Sequence, residues 1–132
     1  MSIKVQNYTN ASISILTENE KILIDPWFTD GIYGGTWHNF PRLSPSEKKE
    51  AIDNTDICIF THLHKDHFDI STVKKLSHGT LFIYPKTFGW QVIKSTLEAN
   101  NYKNQLLLDF GKERFLSKDF LIQAVPPMNT SG

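Results

Sequence analysis

The stretch Ile57-Cys58-Ile59-Phe60-Thr61-His62-Leu63-His64-Lys65-Asp66-His67-Phe68-Asp69 decides how the whole chain is read. Its first four residues are apolar without alternation, the pattern of a strand covered on both faces. Directly behind them, three of the chain's five histidines and two aspartates crowd into residues 60–69. The carboxyl end of a buried strand is the usual place for a site in an α/β sheet. In an extended segment alternate side chains point the same way, so His62 and His64 can converge on one ion if strand geometry persists past Phe60. Zinc favours neutral imidazole nitrogens and carboxylate oxygens at about 2.0–2.2 Å. Asp66 and His67 lie past an expected bend and could serve a second ion, as in two-metal hydrolytic sites. The competing reading is a solvated, hydrogen-bonded loop. The coincidence of several ligand-bearing residue types at a strand end favours metal.

Upstream, Ile3 and Val5, then Ile13 and Ile15, alternate with polar residues and predict two half-buried strands. Thr17-Glu18-Asn19-Glu20 turns the chain into a third strand, Lys21-Ile22-Leu23-Ile24, which ends at Asp25-Pro26. Residues 29–43 read as one long loop rich in glycine and aromatics. Ser44-Pro45-Ser46-Glu47 reads as a capping box with proline in the first turn, opening a helix to about Ile52. Downstream, residues 69–78 predict a short helix that His78 ends, and residues 80–84 a strand. A helix follows from about Lys86 to Ala99, with Val92, Ile93 and Leu97 on one face and Asn100-Asn101 ending it. Strands are expected at about 105–108, 114–116 and 120–125. Hairpins followed by strand–helix–strand units give an α/β chain with a mixed sheet, read as one structural unit over residues 1–132.

At 132 residues the chain suits one domain, and 39% hydrophobic residues can build a core. Fourteen basic residues balance fourteen acidic ones, which leaves no electrostatic footprint for nucleic acid or an anionic membrane. No segment approaches a membrane span, and Met1–Val5 lacks the apolar stretch of a secretory signal. The single cysteine, Cys58, excludes an internal disulfide and reads as a small core residue. A soluble cytoplasmic protein is the expectation. No G-x-G-x-x-G or Walker pattern exists, so Gly31, Gly34 and Gly35 make no phosphate loop. Trp27, Trp37 and His38 around the long loop, with Asn129, are candidate pocket residues; the alternative is that the loop's aromatics only pin it down.

His62-Leu63-His64-Lys65-Asp66-His67 matches the H-x-H-x-D-H motif and resembles the metallo-β-lactamase superfamily. Leu23-Ile24-Asp25-Pro26-Trp27-Phe28 is similar to one branch of it. That branch holds the ascorbate-6-phosphate lactonases, the N-acyl-phosphatidylethanolamine phospholipases D and the CMP-sialic acid hydroxylase relatives. The resemblance covers the chain from about residue 3 to its end. It implies an αββα sandwich, two mixed sheets face to face with helices outside. This chain would supply the amino-terminal half, a mixed sheet with helices on one face. It also implies that His62 and His64 bind the first metal, and that Asp66 and His67 face the second. Asp66 would orient the attacking water as the catalytic residue, and Asp25 would hold the ligand loop by hydrogen bonds. The implied cofactor is one or two Zn²⁺, with Mn²⁺ or Fe²⁺ suited to the same ligands. The implied chemistry is metal-assisted hydrolysis of a phosphoester, lactone or amide in a small-molecule substrate left open.

The chain departs from the pattern. Family members take a third histidine, a bridging aspartate and a final histidine from later motifs, whereas His78 is the one histidine after His67. Pro126-Pro127-Met128-Asn129-Thr130-Ser131-Gly132 fits the third-motif frame of the phospholipase branch, with Asn129 standing where histidine would be. An amide oxygen is a poorer zinc ligand than imidazole. The family fold takes roughly 200–300 residues. Half a sandwich would leave one sheet face apolar and uncovered. A missing carboxyl-terminal half or a homodimer about a two-fold axis would cover it. Three readings stay open: a metallo-hydrolase or truncated part of one; a catalytically inactive metal-binding or interaction module that completes its core by dimerisation; and a structural protein without metal.

Overall fold

The computed structural model describes residues 2–118 and 120–127. Six strands form one mixed sheet in chain order. β1 (Lys4–Thr9), β2 (Ser12–Leu16) and β3 (Lys21–Ile24) run antiparallel. β4 (Ile57–Ile59), β5 (Leu81–Pro85) and β6 (Gln105–Leu108) extend the sheet parallel to β3. Tight turns suffice for the antiparallel part. Asn10 takes the left-handed backbone that its short side chain tolerates (φ 49°). Thr17 accepts from the Glu20 backbone N–H at 3.2 Å through its hydroxyl.

Parallel strands need crossovers. Between β3 and β4 the chain makes one distorted turn, α1 (Ile32–Gly35), in which Tyr33 and Gly34 are left-handed, and then α2 (Pro45–Ile52). The capping box is present: Glu47 N–H donates to Ser44 Oγ at 3.2 Å, and Ser44 N–H to Glu47 Oε1 at 3.0 Å. The remaining crossovers carry α3 (Ile70–Val73) and α4 (Trp90–Ala99). A hairpin of β7 (Glu113–Phe115) and β8 (Leu121–Gln123) follows β6.

The unalternating run at 57–60 is explained by two separate cores. Leu23, Cys58, Phe60 and Phe82 are buried with Ala51, Ile52, Val73, Ile93 and Leu97 from the helices. Ile22, Ile57, Ile83 and Leu108 occupy the opposite face, where Leu116, Ile122 and Ala124 pack beside half-buried Ile15, Ile24 and Ile59. The helices thus cover one face, as expected, and the hairpin region lies on the other. Fully burying side chains such as Phe82 or Leu97 stabilises by about 1.5–3 kcal/mol each. Cys58 is a core residue, its thiol pushed well above the usual range by burial.

The boundaries that differ most from the sequence reading are these, besides α1 inside the expected 29–43 loop. α4 starts at Trp90 rather than Lys86, because Gly89 with φ 82° sits at its N-cap and breaks the helical backbone. His78 does not end the short helix: α3 stops at Val73, tight turns follow, and the His78 ring stacks on Tyr102 with centroids 4.6 Å apart. β8 covers Leu121–Gln123 only, with Ala124 in an isolated bridge to Phe110. Among the described residues no helix is long and apolar enough to cross a membrane.

Candidate metal centre

The sheet delivers the histidines to one place. Phe60 still bonds across to Ile83 (3.0 Å), after which the chain leaves the sheet. The His67 and Phe68 amides then both donate to the His64 carbonyl, at 2.9 and 2.7 Å, closing a turn that folds His67 back. The His62 ring ends 4.7 Å from that of His64 and 4.1 Å from that of His67, centroid to centroid. Two imidazoles on one zinc, with bonds of about 2.1 Å, place their ring centres ~5 Å apart. His67 Nε2 and Asp66 Oδ2 are 3.2 Å apart. Two ligand atoms on a tetrahedral zinc are separated by ~3.3 Å.

Asp25 organises this loop from the end of β3. It is 2% exposed and holds a left-handed backbone (φ 45°). Its own N–H bonds to Ile59 at 2.9 Å and its carbonyl accepts from Ser12 Oγ at 2.8 Å, which pins the bend. The carboxylate accepts three hydrogen bonds: from Thr61 N at 2.8 Å, Thr61 Oγ1 at 2.6 Å and His67 Nδ1 at 2.8 Å. The expected holding role of Asp25 therefore has a concrete geometry, and its partners are Thr61 and His67.

Asp66 is reached from two other segments. Tyr33 Oη donates to Oδ1 at 3.0 Å, and Asn10 Nδ2 to Oδ2 at 3.3 Å. Partial burial pushes the Asp66 carboxyl up, but the Tyr33 hydrogen bond and the nearby His67 outweigh it, so the group lies below the ordinary carboxylate range. Tyr33 moves upward, through desolvation and then its bond to Asp66. His62 is held below the usual imidazole value by desolvation and by His67 and His64, which keeps it in the neutral form a metal needs. Thr61 and Asn10 were missed in the sequence, and Tyr33 reads there only as one of the aromatics of the long loop. Thr61 adjoins the cluster and Tyr33 belongs to the aromatic loop, so both carried a positional hint. Asn10, in a hairpin turn, carried none.

The pocket residues do not gather here. Trp27 is 2% exposed and packed inside, with its buried Nε1 unpaired among the described residues, so burial removes it from any open wall. Trp37 lies on the surface against Tyr33 at 5.2 Å. His38 is turned toward the Gly35 carbonyl (3.1 Å) and Asp30, held by its own loop. Asn129 lies outside the described residues, as does most of the third-motif frame. The cleft that does open beside His62 and His64, about 780 Å³, is walled by Leu63, Phe88, Phe110, Ile122 and Val125.

In kind and in pairwise spacing these residues suit a divalent cation. Among the described residues, however, no group of three or more His, Cys, Asp or Glu side chains is placed to hold one. The described residues present pairs of candidate donors, and a complete coordination shell needs further ones.

Comparison with known proteins gives a consistent picture. Residues 20–115 match the family model described as a beta-lactamase superfamily domain. The UPF0173 protein YddR of Bacillus subtilis (strain 168) is 32% identical over 51% of this chain and 30% of its own length. The inactive cytidine monophosphate-N-acetylneuraminic acid hydroxylase of Homo sapiens is 25% identical over 57% of this chain and 15% of its own. A possible metal-dependent hydrolase from Veillonella parvula DSM 2008 superposes with a TM-score of 0.63 at 18% identity, over 86% of this chain and 45% of that one. The chain thus spans less than half the length of these relatives.

Proposed function

This chain belongs to the metallo-β-lactamase superfamily, and we propose that it carries the first ligand cluster of a metal-dependent hydrolase. The observation behind this is the convergence of His62, His64 and His67 around one loop, with His67 Nε2 and Asp66 Oδ2 at 3.2 Å. His62 and His64 would hold one Zn²⁺, with Asp66 and His67 toward a second; Mn²⁺ or Fe²⁺ suits the same donors. When bound, the metal would acidify water and polarise the scissile bond of a phosphoester, lactone or amide. The chain's own residues orient and exclude. Asp25 aims His67, Tyr33 and Asn10 fix the Asp66 carboxylate, and the apolar cleft beside His62 and His64 would keep bulk water from the substrate.

A second reading, a metal-binding module without turnover, is favoured by the pairwise character of the donors. Titration of the purified chain with Zn²⁺, Mn²⁺ and Fe²⁺, alongside hydrolysis of a generic phosphodiester, separates the two. Bound metal with turnover, both lost in His62→Ala and His64→Ala, supports the hydrolase. Bound metal without turnover supports the module, and no binding by the wild type defeats both.

A further inference from the structure

Resting on the metal-binding reading, we propose that Thr61 is a positioning residue that relays Asp25 to His62 and so sets which nitrogen of His62 is free for a metal. Among the described residues the Asp25 carboxylate meets Thr61 and His67 rather than His62. Thr61 Oγ1 in turn lies 2.8 Å from His62 Nδ1.

The hydrogen atoms can be followed one by one. A threonine hydroxyl has a single hydrogen to donate and lone pairs to accept with. Thr61 gives that hydrogen to Asp25 Oδ2, at 2.6 Å. Toward His62 the same oxygen can then only accept, so Nδ1 must carry the hydrogen. In a neutral imidazole the other nitrogen, Nε2, is left with the lone pair. His67 is oriented by a direct route, because its Nδ1 donates to Asp25 Oδ2 at 2.8 Å, while its Nε2 faces Asp66 Oδ2 at 3.2 Å. One buried carboxylate therefore prepares two imidazoles, His67 by contact and His62 through a hydroxyl. Fixing the ligand tautomer through the second ring nitrogen commonly governs metal affinity by 10–100-fold.

The Thr61 backbone makes the relay rigid. Its N–H donates to Asp25 Oδ1 at 2.8 Å, so both the main chain and the hydroxyl of one residue are held by one carboxylate. Serine keeps this arrangement, whereas valine keeps the shape and loses the oxygen.

The test is long-range ¹H–¹⁵N NMR of the histidine rings in the metal-free protein, above the pH range where imidazoles titrate, paired with Zn²⁺ titration. Wild-type His62 should show the hydrogen on Nδ1. Thr61→Val should leave His62 as a tautomer mixture and weaken Zn²⁺ binding by about 10–100-fold, with Thr61→Ser restoring both. Asp25→Asn gives a second reading. The asparagine oxygen would keep the Thr61 N–H, and its amide would donate to Thr61 Oγ1. The hydroxyl hydrogen would be released toward His62 Nδ1, moving the ring hydrogen to Nε2 without touching that ring. A wild-type His62 with its hydrogen on Nε2 overturns the relay, as does an unchanged tautomer in Thr61→Val or Asp25→Asn. A tautomer change with unaltered Zn²⁺ affinity also overturns it. If Thr61→Val does not fold, the wild-type and Asp25→Asn spectra still decide. Because the tautomers are read without metal, failure of the relay is distinct from failure of metal binding itself.

Discussion

Replacing Asp25 by alanine removes the acceptor of three hydrogen bonds at 2.6–2.8 Å, in a side chain that is almost wholly buried. The Thr61 hydroxyl can turn toward His62 Nδ1, so two donors, Thr61 N–H and His67 Nδ1–H, lose their partner outright. Hydrogen bonds to charged groups contribute about 1.5–3 kcal/mol each, which sums to ~3–6 kcal/mol for the pair. The left-handed backbone at φ 45° costs alanine roughly 1–2 kcal/mol relative to glycine, only part of which adds to the loss because aspartate already bears most of it. Urea unfolding of metal-free Asp25→Ala and Asp25→Gly, followed by tryptophan fluorescence, separates the contributions. The difference between the variants reads the backbone; what remains in Asp25→Gly reads the lost bonds together with glycine's own entropic cost. Such losses are a large share of the roughly 5–15 kcal/mol that holds an ordinary domain together. A loss below about 1 kcal/mol in Asp25→Ala at unchanged urea dependence would refute the idea that Asp25 braces this loop.

Three further outcomes follow from the same geometry. Because His62 is held below its ordinary value in the folded protein, the folded state binds fewer protons than the unfolded one at mildly acid pH. Its contribution to stability is then full above the ordinary histidine range and is lost as pH falls below it. Urea midpoints between about pH 7.5 and 5 should therefore fall more steeply in wild type than in His62→Gln; equal slopes would contradict this. Tyr33→Phe removes the donor 3.0 Å from Asp66 Oδ1, so the Asp66 carboxyl should move up toward the ordinary range in a ¹³C NMR titration, and no movement would remove Tyr33 from the site. Gly89→Ala places a methyl 2.7 Å from Leu63 Cδ2 on a backbone with φ 82°. It should cost about 1–2 kcal/mol in urea unfolding, mostly from the backbone, and a neutral result would mean the turn before α4 relaxes freely.

Much of this molecule was legible along the chain. The strand at 57–59, the capping box at Ser44 and Glu47 and the helix ending at Asn100 follow from local pattern, because neighbours in sequence carry the hydrogen bonds and the period that define them. The histidine cluster was legible for the same reason: its four candidate donors lie within six consecutive residues, 62–67. The pocket residues were not. Trp27 reads as a candidate wall in sequence, but the sheet turns it inward, and His38 is held by Asp30 and Gly35 of its own loop.

The sequence by itself determined the order of the sheet strands, the mixed sheet and the strand end that carries the candidate donors. Only the tertiary structure decided what surrounds them. Asn10 and Tyr33 reach Asp66 across 56 and 33 residues, and Asp25 reaches His67 across 42. Such pairings leave no periodic trace, since they depend on where separate segments come to rest when both faces of one sheet are buried. The direction of a hydroxyl hydrogen at Thr61 depends in turn on which acceptor those segments bring nearest.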